Sequence, residues 1–180
     1  AQINGESVSF ANIAKDVGIS AVSVKSYFEV LTDTLIGFFL PAYHRSVRKK
    51  QKVAPKFYFH DVGLVRTLLN RVAIAPVPES FEFGNLFESF VVNEIVRLNE
   101  YRRSRFQLSH LRIDHKDEID LIVERPGQKT LLIEIKSKDS RITESDVKTL
   151  NRLGRQFKDV ELLCLSRDSQ RRKLGNVMCI

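Results

Sequence analysis

Residues Glu118–Lys136, EIDLIVERPGQKTLLIEIK, hold two runs of aliphatic and β-branched side chains on either side of a Pro-Gly dipeptide. Two such runs around a turn signal predict a hairpin. Three ionisable residues, Asp120, Glu134 and Lys136, interrupt its apolar pattern. A charge among residues that ought to pack a core is costly unless it is paired. Side chains alternate along a strand, so Glu118, Asp120 and Ile122 are expected on one face. Glu134 and Lys136 are expected on one face of the next strand. If the hairpin closes with those faces together, two acids and a lysine converge. Close carboxylates repel unless protonated or bridged by a cation, and hard oxygen donors suit magnesium or manganese. A bound ion of that kind polarises a phosphoryl oxygen and lowers the pKa of its water, which a nearby lysine can position. The chemistry indicated is phosphodiester hydrolysis.

Working outward, NLFESFVVNEIVRLNE (residues 85–100) has a helical apolar stripe, with Glu88 at its edge and Glu94 inside it. Both glutamates are expected to lean toward the core, where either can pair with an arginine. RFQLSHLRI (105–113) reads as a strand before the hairpin. TESDVKTLNRLGRQF (143–157) reads as a helix capped by Thr143 and ending near Gly154. VELLCLS (160–166) is a continuous apolar run of the kind found in buried parallel strands. The order helix, three strands, helix, strand predicts an antiparallel meander whose last strand returns through a helical crossover. Arg171, Arg172 and Lys173 are expected in a surface turn before a final strand, NVMCI.

The front of the chain has a different pattern. SFANIAKDVGISAVSVKSYFEVLTDT (9–34) holds two helical periods broken at Gly18, with Ser9 and Ser20 as caps. Ala14, Gly18 and Val24 fall where a helix-turn-helix needs a small crossing residue, a positive-φ turn residue and an inward branched side chain. LIGFFLPAY and FYFHD then read as two strands around a basic segment, HRSVRKKQKVAPK (44–56), which together form a wing. Its tip carries Arg45, Arg48, Lys49, Lys50, Lys52 and Lys56 with no acid among them, a cluster suited to phosphates. Ser23, Lys25 and Ser26 on the second helix are candidates to face a groove of DNA. Asp61 is expected to cap a short helix, and the Pro-rich AIAPVPES (73–80) to link two domains.

These readings give a mixed α/β chain: a winged helix-turn-helix over residues 1–60, a helix and linker over 61–80, and an α-β-β-β-α-β domain over 81–180. The formal net charge of +7 favours an anionic partner, with DNA foremost. Two cysteines, Cys164 and Cys179, without CxxC spacing, indicate neither a disulfide framework nor a zinc site and fit a reducing cytoplasm. The longest apolar run, LIGFFLPAY, is too short to span a membrane, and no signal peptide opens the chain. The absence of an initiator methionine suggests a fragment of a longer protein.

Asp120, thirteen residues, then Glu134-Ile135-Lys136 resembles the D…ExK signature of the PD-(D/E)xK, or restriction-endonuclease-like, superfamily. Glu88 in NLFES matches an acidic position that many of its members carry on the first helix. The superfamily's proline is absent, since Glu118-Ile119 precedes Asp120. The resemblance implies catalytic roles for Glu88, Asp120, Glu134 and Lys136. It implies a Mg2+ or Mn2+ ion held by Asp120, Glu134 and the Ile135 carbonyl. A longer resemblance covers KFYFHDVGLVRTLL, GNLFESFVVNEIVR, EIDLIVE and LLIEIKSK, in that order. It is to the region that follows an AAA-type P-loop ATPase in many prokaryotic proteins. No GxxxxGKS/T occurs here, so ATP would bind only in an absent N-terminal domain of the same chain. Two functions follow as expectations: a metal-dependent endodeoxyribonuclease, or a nucleic-acid- or protein-binding module that keeps the nuclease fold without cutting. Self-association remains open under either.

Overall fold

The structure is a computed structural model that describes residues 1–44, 53–113 and 117–180. Among them are five helices and two sheets in a mixed α/β arrangement.

The front half begins with α1 (Phe10–Val17) and α2 (Ala21–Asp33). Ser9 accepts from the Asn12 N–H and Ser20 from the Ser23 N–H, so both helices start on the predicted serines. Gly18 ends α1 at φ 76°, a left-handed conformation that glycine adopts without the Cβ clash other residues meet. The hairpin of β1 (Gly37–Leu40) and β2 (Lys56–Phe59) follows. Then comes α3 (Val62–Leu68), capped by Asp61, which accepts from the Leu64 N–H at 2.9 Å.

β2 lies between two partners. β1 pairs with one edge, Leu40 opposite Lys56 and Phe39 opposite Phe57. The chain's first residues pair with the other: Gly5 N–H donates to Phe57 O at 2.8 Å, and Ser7 bridges Lys56. Phe57 and Phe59 point into a core with Val8, Ala14, Val24, Phe28 and Val65. Tyr58 and Leu40 point the other way, into a core they share with the back half. Strand alternation thus makes one four-residue strand the joint between the two halves.

In the back half, α4 (Phe81–Tyr101) starts on Ser80. Four strands follow in order: β3 (Gln107–Arg112), β4 (Glu118–Glu124), β5 (Thr130–Lys136) and, after α5 (Lys148–Gly154), β6 (Val160–Ser166). β7 (Arg172–Leu174) and β8 (Val177–Cys179) complete a six-stranded sheet of order β3-β4-β5-β6-β8-β7. β3, β4 and β5 form an antiparallel meander, and β6 pairs parallel to β5. Leu121, Val123, Ile133 and Ile135 pack under α4. Ile119, Ile122, Leu132, Leu150, Leu153 and Cys164 pack against the other face, where α5 lies. The two halves also meet at a bridge between Ala42 and His110, with Tyr43 N–H donating to His110 O at 2.6 Å. No helix among the described residues is long and apolar enough to cross a membrane.

Several local expectations are corrected. Lys56 is not in the basic tip; it opens β2 and is buried. Thr143 does not cap α5: it and Asp146 bond within the preceding turn, and Val147 stands at the cap position of α5 with no side-chain hydrogen bond to offer. Arg172 and Lys173 belong to β7 rather than to a turn. Glu94 lies on the partly exposed rim of α4, where Arg97 pairs with it at 2.5 Å one turn away. Glu118 and Ile122 do not share a face. β4 bulges between them, so that Ser109 pairs with Ile122 but Leu111 with Ile119. One extra residue in a strand reverses the alternation beyond it.

Candidate active site

The bulge falls on Asp120 and Leu121, at the end of the sheet where β4 and β5 part. The last pair of their ladder is Leu121 opposite Ile133. One step further the Asp120 carboxylate itself takes the Ile135 N–H, Oδ2 accepting at 2.7 Å. Glu134 precedes that amide, and Lys136 follows it on the same face as Glu134, with Nζ 2.6 Å from Glu134 Oε1. The structure therefore gathers Asp120, Glu134 and Lys136 at the sheet end.

Glu88 enters from α4. Its Oε1 receives two donors from β2, Tyr58 OH at 2.7 Å and Lys56 Nζ at 3.0 Å. Lys56 also lies 2.6 Å from Glu118 Oε1, and Arg112 Nε stands 3.8 Å from Glu118 Oε2. A cavity of about 150 Å³ adjoins this cluster, lined among others by Glu6, Lys56, Glu88, Arg112, Glu118 and Asp120.

The electrostatics are those of crowded acids. Burial raises the Asp120 carboxyl well above the usual range, and the Glu134 and Glu88 carboxylates add to it against Lys56 and the Ile135 N–H. Glu134 is also raised, by burial first, with Lys136 opposing and Glu88 and Glu118 adding. Burial alone would lower the Lys56 ammonium, but Glu88, Glu118 and Asp120 outweigh it and hold the proton on more firmly than usual. Tyr58 is raised by burial and then by Glu88, so its hydroxyl stays a donor.

The donor set suits a hard divalent ion. Glu134 Oε2 is buried with no hydrogen-bond partner, although its residue is only 8% exposed. Asp120 holds the Ile135 amide through Oδ2. Mg2+ is commonly held by one or two carboxylates with waters completing its shell, which this pair can match. Among the described residues, no three His, Cys, Asp or Glu side chains form a ready-made metal cage.

The candidate groove-facing residues lie elsewhere. Ser23 hydroxyl bonds with Ser20 at 2.9 Å, and Lys25 pairs with Glu29 at 3.4 Å on the open side of α2. Val22, Tyr27 and Val30 are exposed on that helix as well, so little net positive charge faces outward there. Arg45, Arg48, Lys49, Lys50 and Lys52 lie outside the described residues. His110 is fully buried, and burial followed by the Lys56 charge brings its imidazole down to about 4, a neutral ring at ordinary pH.

Sequence reasoning missed Tyr58 and Arg112, placed Lys56 in the wing tip, and gave Glu118 a face but no role in the cluster. Lys56-Phe57-Tyr58-Phe59 held a signal in its alternation: two phenylalanines on one face, a lysine and a phenol on the other.

Two family models match the chain. The family described as Domain of unknown function (DUF4143) matches residues 83–180, and Domain of unknown function (DUF8612) matches residues 1–73. Uncharacterized proteins of Mycobacterium tuberculosis and Mycobacterium bovis are each 28% identical over 131 residues, covering 71% of this chain. The alignment spans only 28% of either relative's length. Among solved structures, a chain of the half-complex of Thermococcus gammatolerans McrB AAA+ hexamers with bound McrC gives a TM-score of 0.35 at 12% identity. That likeness covers 86% of this chain and 59% of the other, and fixes neither fold nor partner.

Proposed function

The chain belongs to the DUF4143 family, and from that premise we propose that it is a divalent-metal-dependent nuclease region acting on DNA. In this reading residues 81–180 are a restriction-endonuclease-like domain, residues 1–60 a winged helix that holds DNA, and the whole lies downstream of an AAA-type ATPase domain. The α4-β3-β4-β5-α5-β6 order and the resemblance of the D…ExK residues support it. One observation carries it: Asp120 and Glu134 meet where β4 and β5 part, both pushed above the usual carboxylate range, with a buried Glu134 oxygen left unpartnered.

Asp120 and Glu134 would hold the ion, with the Ile135 carbonyl as a further donor. Bound there, Mg2+ or Mn2+ supplies Lewis-acid polarisation of a phosphoryl oxygen and a water of lowered pKa. Lys136, an ammonium tied to Glu134, would orient the attacking water and offset the negative charge that develops on it. Glu88, steadied by Tyr58 and Lys56, keeps a further negative charge beside Asp120. On the DNA, Ser23, Lys25 and Ser26 of α2 and Arg45, Arg48, Lys49, Lys50 and Lys52 would contact backbone and groove.

The test is cleavage of supercoiled plasmid by the full chain in Mg2+ or Mn2+, beside Glu134→Ala and Lys136→Met. Loss of a positioned acid, base or metal ligand is expected to lower the rate by about 100-fold or more. Equal cutting by all three proteins removes the catalytic assignment.

A second reading keeps the fold without the cutting, as a nucleic-acid- or protein-binding module. The ion pairs favour it: Lys136 answers Glu134, and Lys56 answers Glu88 and Glu118, so these three acids each have a cation beside them without an ion. A salt-dependent gel shift with no cleavage in any divalent metal selects this reading.

A further inference from the structure

Four carboxylates, Glu88, Glu118, Asp120 and Glu134, converge at the sheet end, and the cations that answer them differ in kind. Lys136 is a neighbour of Glu134 on the same strand, and Arg112 reaches Glu118 from β3. Lys56 arrives from the front half, is only 4% exposed, and touches two carboxylates at once. Its strand is held on both edges, by Leu40 of β1 and by Ser7, so the backbone cannot retreat without breaking a pairing. Tyr58, on the same face of β2, donates to the Glu88 oxygen that Lys56 contacts and so fixes the acceptor for it.

An ammonium enclosed by carboxylates does electrostatically what a bound metal ion does, with one charge in place of two. Shortening this side chain would leave Glu88, Glu118 and Asp120 with Arg112 as their nearby counter-charge. The cavity of about 150 Å³ beside them would then be larger still. At roughly 30 Å³ per water, that space accepts a partly hydrated ion. The unpartnered Glu134 Oε2 belongs to the neighbouring strand β5 and remains for a different occupant.

We propose that Lys56 is a built-in cation: its ammonium fills the position between Glu88 and Glu118, beside Asp120, where a second divalent ion with waters completing its shell would otherwise bind. β2 thereby limits the sheet end to a single ion, and the front half determines how many metals the back half takes. The count of one rests on the reading of Asp120 and Glu134 as a metal pair; the role of Lys56 does not.

The experiment is equilibrium dialysis of the full chain against Mn2+ with elemental analysis, with Tm followed in parallel, on native protein, Lys56→Ala and Lys56→Arg. Lys56→Ala is expected to bind one more Mn2+ per chain than the native protein and to show a larger Mn2+-dependent rise in Tm. Lys56→Arg, which restores the charge, is expected to keep the native count. Should Lys56→Ala be unfolded in metal-free buffer, Mn2+ is expected to refold it, read by circular dichroism. A native count in Lys56→Ala, the same gain in Lys56→Arg, or a Lys56→Ala chain that Mn2+ neither enters nor refolds overturns the proposal. A lysine that served packing alone would lower Tm without adding an ion. Native protein that binds no Mn2+ defeats the metal pair at Asp120 and Glu134, while one ion gained by Lys56→Ala still supports the role of Lys56.

Discussion

Asp120 accepts the Ile135 N–H through Oδ2 at 2.7 Å, at the step where the β4–β5 ladder stops. A carboxylate thus replaces a backbone carbonyl in the sheet, and the bulge in β4 frees the room for it. A functional group placed this way is held as rigidly as the strands themselves.

That placement carries a cost that depends on pH. Asp120 has a folded-state pKa well above its unfolded value, through burial and then Glu134 and Glu88. Between those two values the folded chain binds more protons than the unfolded one, so stability falls as pH rises through this window. Asp120→Asn keeps an acceptor for the Ile135 N–H and removes the charge. In metal-free buffer at pH 7–8 it is expected to melt above the native protein by about 2–4 °C, the shift that about 1 kcal/mol produces in a chain of this size. The difference is expected to shrink as pH falls and to vanish near pH 2, well below the ordinary Asp value of about 3.9, where Asp120 is protonated in both folded and unfolded states. A lower Tm for Asp120→Asn at neutral pH would show that the charge stabilises the site.

Tyr58→Phe removes one hydrogen bond to Glu88 and leaves Lys56 in place. Hydrogen bonds to charged groups contribute about 1.5–3 kcal/mol, and the remaining donor retains part of that. A loss of about 1–2 kcal/mol in denaturant unfolding is expected, with the m-value unchanged. No change would mean that Lys56 alone holds Glu88.

Phe57 is fully buried, with ring centroids 4.9 Å from Phe28, 5.2 Å from Phe39 and 5.2 Å from Phe59. Truncation to alanine opens a cavity in the front core and is expected to cost about 3–5 kcal/mol. Because β2 joins the halves, the loss is expected in both: near-ultraviolet signals of the front core and amide protection of β4 and β5 should fall together. Protection that persists in β4 and β5 would show two independent folding units.

Cys164 and Cys179 face each other across β6 and β8 and are both buried. Burial, then the neighbouring thiol, pushes Cys164 up to about 12, and burial raises Cys179 as well. At pH 8 neither has an appreciable thiolate fraction, so a chromogenic disulfide reagent is expected to label neither thiol in the native protein and both in guanidinium. Rapid labelling of the native chain would mean that β8 opens readily.

Much of this was legible along the chain because its causes are local. Serine caps, the positive-φ glycine after α1 and the apolar periods of α4, β4 and β5 depend on residues a few positions apart, and each element stands close to its expected place. Asp120, Glu134 and Lys136 were legible for the same reason, since a single hairpin brings them together. Thr143 failed as a cap because Asp146 offered its amide and hydroxyl a nearer acceptor in a tight turn. Glu118 changed face because a bulge depends on how two strands twist together, which no periodicity records.

The sequence by itself determined the kinds of element, their order and the three charges of the hairpin, since these follow from dihedral preference and spacing within short segments. Only the tertiary structure decided that Lys56 and Tyr58 belong with them. Lys56 and Glu88 are 32 positions apart, and although the alternation of Lys56 to Phe59 marks a two-faced strand, it does not say which acids the polar face meets. That is decided when Phe57 and Phe59 sink into the front core: alternation then turns their neighbours, a lysine and a phenol, toward the acids of the other half.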